Sequence, residues 1–304
     1  MSSDPVADLA ITLADVAGAL SSLIRANLRP AAGSPAAQDA GSAELDGDWG
    51  RHPGREVFTT VQLTAWAAAD HLAAAASGLR ARNGVAPLYT LIRGAAESAA
   101  VACYLSGAGI GFRERVRRYM NYCLDGLCEE IYMIRSFQGA DARARVAELE
   151  AEIESIKSAA LQHGIEFHPQ KGTRSAYIGA EQPLSAMTLI DGCASHTPLL
   201  GATYHRLLSG VAHAKRHGLA RFLVYAGPPD EDGSIPTALN TSAGDLARDL
   251  LAGPLCAATL VEHLRWYPRW DVDALSPLVV RMLHTWGRIS GVPYPGPEIS
   301  RSTA

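Results

Sequence analysis

Pro87-Leu-Tyr-Thr-Leu-Ile-Arg93-Gly-Ala-Ala-Glu97-Ser-Ala-Ala-Val-Ala-Cys-Tyr-Leu105 reads as one helix. Pro87 sits at its first position, where a missing N–H costs nothing, and Gly107 and Gly109 stop it. Two charges, Arg93 and Glu97, interrupt this otherwise apolar, Ala-rich run. An exposed i,i+4 pair is worth only about 0.2–0.5 kcal/mol. A buried charge is costly unless it is paired or has work to do. Arg93 and Glu97 therefore stand as either a buried structural pair or part of a site.

The same helical spacing recurs outward from this stretch. Residues 5–28 form a first amphipathic helix, with Leu9, Leu13, Val16, Leu20 and Leu23 three or four apart. Further helices are expected at 57–79, at 112–137 with a basic first turn, and at 141–162 with a charged outer face. Short or terminal ones follow at 185–193, 198–213 and 277–289. A single long helix is expected from the capping Ser242 to about Tyr267. Residues 29–56 are rich in Pro, Gly, Ala and Asp without periodicity and read as a mobile linker. Residues 164–182 read as irregular. The runs 220–225 and 235–240 flank a Gly-Pro-Pro turn and read as an inserted hairpin. The expected fold is mainly α, a helical bundle over 57–290 with a small β-hairpin at about 219–241. A tethered helix at 1–28 and a Pro-rich tail at 291–304 complete it.

The net charge of −4 excludes a global field drawing the whole protein to nucleic acid or an anionic membrane. Five cysteines are scattered, odd in number and without a CxxC pair. Such usage fits small buried apolar side chains in a reducing cytoplasm. No secretion signal is expected, because a basic flank with an apolar core is missing at the N-terminus. No membrane partner is expected either, since charges break every long apolar window. Nucleotide loops and the nucleophile elbow are absent from the sequence, and no cofactor is expected.

Polar chemistry concentrates in Tyr204-His-Arg-Leu-Leu-Ser-Gly-Val-Ala-His213-Ala-Lys-Arg-His217. Offsets of three, four and seven put Arg206, Ser209 and His213 on one helical face. From Tyr204 to Arg221 there is no acidic residue, which suits an anion-handling or acid–base site. Tyr204, His205, Arg93 and Glu97 are expected to support it. Each residue also has a plain structural role: His213 against the helix dipole, Ser209 as a small packing residue, Arg206 in solvent. His213 and His217 have metal-ligand spacing, but no ExxH or HExxH motif accompanies them, and no metal is expected. Asp70-His71 and Glu262-His263 are neighbours about 100° apart on a helix, so neither is a dyad by itself; His71 could face the same cavity as Glu97. Trp266, Tyr267 and Trp270 read as core or subunit contact.

The Arg93-x-x-x-Glu97 helix and the Arg206-x-x-Ser209-x-x-x-His213 helix together resemble a bacterial helical family frequent in actinomycetes. That family is similar in turn to abortive-infection and HEPN-type proteins, marked by an Arg followed a few residues later by a His. Six residues stand between Arg206 and His213 here. The resemblance implies that two protomers pair, that RNA is cut without metal, and that His213 is the general acid/base. Arg206 would stabilise the charged phosphorane and Ser209 would bind phosphate. Leu207 departs from the polar residue usual after the Arg. Two other readings are a non-catalytic binding or regulatory dimer, in which the cluster only fixes packing, and a small-molecule enzyme of specialised metabolism with its site in a bundle cavity.

Overall fold

In a computed structural model, residues 4–50, 52–82, 84–137, 139–171, 175–180, 182–194, 200–225, 227, 234, 237–239 and 241–292 are described. The centre is a layer of four helices. Helix α1 (Pro5–Ala26) starts where the Asp4 side chain accepts from the Val6 N–H at 3.1 Å. It lies on α3 (Pro53–Ala81), α3 pairs with α4 (Ala86–Leu105), and α4 is covered by α11 (Ala252–Trp266). Buried alanines recur on both helices of this pair: Ala65, Ala68, Ala69, Ala75 and Ala76 on α3, and Ala95, Ala96, Ala99 and Ala100 on α4. Small side chains let the two backbones approach, and Gly94 goes further. A Cβ there would lie 2.8 Å from His71 Nε2, so the His71 ring occupies the space that Gly94 leaves. His71 thus packs on the α4 backbone.

The expected helices 87–105, 112–137 and 141–162 are found as α4, α5 (Phe112–Ile134) and α6 (Ala140–Gln162). Helix α7 (Ala186–Cys193), capped by Ser185, and α8 (Leu200–Ala212) both pack on α4. Helix α12 (Ser276–Ser290) packs on α1 and buries Met282, Leu283 and Trp286. The fold is mainly α with small antiparallel pairs, β1 (Phe167–His168) with β2 (Tyr177–Ile178) and β3 (Leu223–Tyr225) with β4 (Thr237–Leu239). The second pair is the expected hairpin; its turn 228–233 and the tail 293–304 lie outside the described residues. The first pair falls where irregular chain was expected, because two-residue strands leave no period to read.

Two expectations about organisation are corrected. Residues 29–56 are not a mobile linker. They contain α2 (Pro35–Gly41), started by the Ser34 cap with Pro35 at its first position, and they bury Ala36, Leu45 and Trp49. Their backbone is bonded to the far end of the chain, Ala31 N–H to Pro268 O at 2.9 Å and Ala36 N–H to Tyr267 O at 3.1 Å. Anchors spaced singly along irregular chain have no periodicity, which is why the stretch reads as loose. Helix α1 is not tethered either. By length and composition it is apolar enough to cross a bilayer, yet Leu9, Leu13, Val16 and Leu20 are fully buried in the core. Each such side chain contributes roughly 1.5–3 kcal/mol to docking.

The long helix expected from Ser242 to Tyr267 is two helices, α10 (Ala243–Asp249) and α11. Pro254 explains the break. It has no N–H to give the Leu250 carbonyl, and its ring would clash with that group in a continuous helix.

Candidate functional site

Helices α4 and α8 meet at a polar cluster. Arg93 Nε donates to Glu97 Oε1 at 2.7 Å, and Arg93 Nη1 reaches Ser209 Oγ at 3.4 Å and His213 Nε2 at 3.1 Å. A guanidinium carries only donors, so His213 Nε2 is the acceptor and the ring proton sits on Nδ1. His205 Nε2 stands 3.5 Å from Glu97 Oε1. The Arg93 and Glu97 side chains are 24% and 30% exposed, so the ion pair is half-buried and still reachable from solvent.

Local structure sets His213. Helix α8 ends as Ala214 turns left-handed (φ 52°) and the Lys215 N–H reaches back to Gly210 O at 2.7 Å. The chain then folds α9 (Arg216–Leu219) against the end of α8. A Cβ on Gly218 would lie 2.5 Å from the Gly210 carbonyl carbon, and one on Gly210 would lie 2.5 Å from His217 Nε2. His217 is therefore packed over Gly210, and the helical i,i+4 relation with His213 does not form. Among the described residues, no three His, Cys, Asp or Glu side chains are grouped to hold a metal ion.

Of the residues expected from sequence, Arg93, Glu97, His205, Ser209 and His213 come together. Arg206 does not join them. It is exposed and makes no hydrogen bond or ion pair among the described residues. The arginine that meets His213 is Arg93, from another helix. Tyr204 is buried on the opposite side of α8, where burial and the charge of Asp249 push its phenol up to about 12. Trp266, Tyr267 and Trp270 are core residues or border the core.

Sequence reading missed two buried polar networks. In one, Asp249 accepts from Tyr89 OH at 2.8 Å and from Arg221 Nε at 3.0 Å, with Arg221 Nη2 on its other oxygen. Burial first, and then the neighbouring Asp249 carboxylate, raise the Tyr89 phenol far above its ordinary range. In the other, Arg115 meets Asp39 and Tyr267. Each contains a bond between residues more than 70 positions apart, Tyr89 with Asp249 and Arg115 with Asp39, and no local pattern marks such a pairing. Beside the α4–α8 cluster, Glu97 also borders a cleft of about 450 Å³ whose walls include Tyr104, Arg118, Tyr122, Asp125 and Glu129.

Burial holds the His205 imidazole below its ordinary 6.5, with Glu97 opposing the shift and Arg93 adding to it; burial does the same to His263. Both folded values are depressed, so between the folded and unfolded values the unfolded chain binds protons that the folded chain refuses. These groups leave stability unchanged well above pH 6.5, and stability falls as pH drops below it. Glu114, held below 4.5 by Arg117, adds its own loss only in stronger acid. The urea midpoint is expected to fall between about pH 7.5 and about pH 5.5, and to fall less in His205→Gln and His263→Gln. An equal fall in both variants would contradict this assignment.

Comparisons of the chain with protein families, with curated proteins and with solved structures find no match. The class defined by fold and site is that of a helical-bundle protein with a half-buried Arg–Glu–His–Ser cluster.

Proposed function

We propose that the α4–α8 cluster is a metal-independent acid–base site that cleaves RNA. The observation that carries this reading is one guanidinium group, Arg93 Nη1, within reach of both His213 Nε2 and Ser209 Oγ. The cluster borders a segment, 204–221, that has four Lys/Arg and no acid. A phosphate oxygen that takes the Arg93 Nη1 donor releases the His213 Nε2 lone pair. His213 then accepts the proton of a ribose 2′-hydroxyl as that oxygen attacks phosphorus. Arg93 stabilises the negative charge that develops on the phosphorane, and Ser209 donates to a non-bridging oxygen. The P–O5′ bond breaks, and the leaving oxygen and His213 exchange protons with solvent. Glu97 fixes the guanidinium through Nε. This reading keeps the HEPN-type chemistry but assigns the arginine role to Arg93 rather than Arg206. It also joins Arg and His within one chain, so pairing of protomers is not needed to assemble the two groups.

A small-molecule substrate is the second reading, favoured by the cleft that Glu97 shares, whose volume suits one drug-sized ligand or less. The test is incubation of the full chain with RNA, and with DNA of the same sequence, in EDTA. RNA is expected to be cut and DNA left intact, with His213→Ala inactive and still folded by circular dichroism. No cleavage by folded protein at high concentration would overturn the RNA reading and leave the cleft as the place to screen.

A further inference from the structure

Three cysteines far apart in the sequence, Cys103 on α4, Cys193 at the end of α7 and Cys256 on α11, meet in the core. Cys193 Sγ lies 3.5 Å from Cys103 Sγ and 3.8 Å from the Cys256 carbonyl oxygen. The Thr259 hydroxyl donates to the Cys193 carbonyl at 2.6 Å, which ties the end of α7 to α11. His263, one turn further on, has its own fixed place. The Ser106 hydroxyl gives its proton to Ala102 O at 2.6 Å, so its oxygen accepts from His263 Nδ1 at 2.9 Å. Cys103, Cys193, Thr259 and His263 together line a small cavity of about 170 Å³. That is room for a molecule of a few atoms and too little for an ordinary metabolite.

This is more than apolar packing of thiols. Among the clustered thiols, the Cys103 and Cys256 neighbours hold Cys193 below its ordinary value despite burial, while burial pushes Cys103 up. The 3.5 Å contact of the two sulfurs and the cavity that both line are what prepare them to react together, with Cys193 assigned the attack and Cys103 the resolving step. Among the described residues Cys123 and Cys128 have no sulfur neighbour at such range.

We infer that Cys193 and Cys103 form a peroxide-oxidisable pair that closes to a disulfide joining α7 to α4. The Cys193 sulfur attacks one oxygen of hydrogen peroxide; the S–O bond forms, the O–O bond breaks, and hydroxide leaves and is protonated to water. Cys193 is now a sulfenic acid. The Cys103 sulfur displaces hydroxide from it, the S–S bond forms, and the Cys103 proton leaves with the hydroxide as a second water. Two thiols and one peroxide become one disulfide and two waters. Closing the pair brings the sulfurs from 3.5 Å to bonding distance, about 2.05 Å, by adjustment of the two short side chains and the last turn of α7.

The experiment treats the reduced full chain with a stoichiometric amount of hydrogen peroxide, then counts thiols under denaturing conditions and maps tryptic peptides. Trypsin places Cys103, Cys193 and Cys256 on three different peptides, because Arg93, Arg113, Arg206, Arg248 and Arg265 separate them. Two of the five thiols are expected to be lost, with a linked Cys103–Cys193 peptide that dithiothreitol releases. Cys103→Ser is expected to stop at a Cys193 sulfenic acid, trapped by dimedone. Cys193→Ser is expected to lose the crosslink, with Cys103 retained as thiol. Oxidation confined to Cys123, or a crosslink from Cys193 to Cys256 instead, would overturn the assignment. Should either serine variant fail to fold, the peptide map of the unmodified chain decides alone.

Discussion

Asp39→Ala is expected to destabilise the protein by about 3–5 kcal/mol, a large fraction of what a domain has to lose. Asp39 and Arg115 are both nearly fully buried, with Arg115 Nη1 3.4 and 3.1 Å from the two Asp39 oxygens. Tyr267 OH adds a third bond to Asp39 at 3.1 Å, and the guanidinium lies over the Trp266 and Tyr267 rings at 5.3 and 5.1 Å. Burial pushes the Asp39 carboxyl up, and Arg115 is the partner that makes its charged form tolerable. Removing the carboxylate strands a cation in the core where the 29–56 segment, α5 and α11 meet. Pairing Asp39→Ala with Arg115→Met removes both charges and is expected to restore part of the loss. Urea unfolding of the three proteins measures it. A single change that costs less than about 1 kcal/mol would mean that the segment 29–56 is not held here.

Arg93→Ala is expected to lower RNA cleavage by about two to three orders of magnitude, the usual loss when one transition-state donor is removed. Arg206→Ala is expected to stay within a few-fold of the unmodified protein, because Arg206 is exposed and bonds to nothing in the cluster. Two arginines on opposite sides of the argument thus give opposite outcomes. Added guanidinium ion is expected to restore part of the activity of Arg93→Ala, which a purely structural role would not produce. A loss in Arg206→Ala equal to that in Arg93→Ala would return the role to Arg206 and refute the geometry proposed here.

How far the sequence could be read follows the range of each interaction. Helix α4 was legible from Pro87, its alanines and the glycines beyond it, and so were Arg93 and Glu97 as charges out of place in it. Ser209 and His213 were legible as neighbours on α8, because helical offsets are local. That Arg93 faces them is a tertiary fact, 120 residues apart, and nothing in either helix announces it. Arg206 shows the converse: it has the expected spacing on its own helix, yet it is exposed and does not reach the cluster. The cysteines repeat the lesson, since positions 103 and 193 meet only because α7 packs on α4. The break at Pro254 is, by contrast, a local signal, and the expectation of one continuous helix from Ser242 to Tyr267 left it out of account.

The central claim is that Arg93 and His213 act together on a phosphodiester with the ribose hydroxyl as nucleophile. The most direct measurement is the chemistry of the ends left by the purified protein in EDTA, wild type beside His213→Ala. The account predicts 2′,3′-cyclic phosphate and 5′-hydroxyl ends from the wild type and no cleavage from the variant. Cleavage that persists in His213→Ala, or ends bearing a 5′-phosphate, would contradict it.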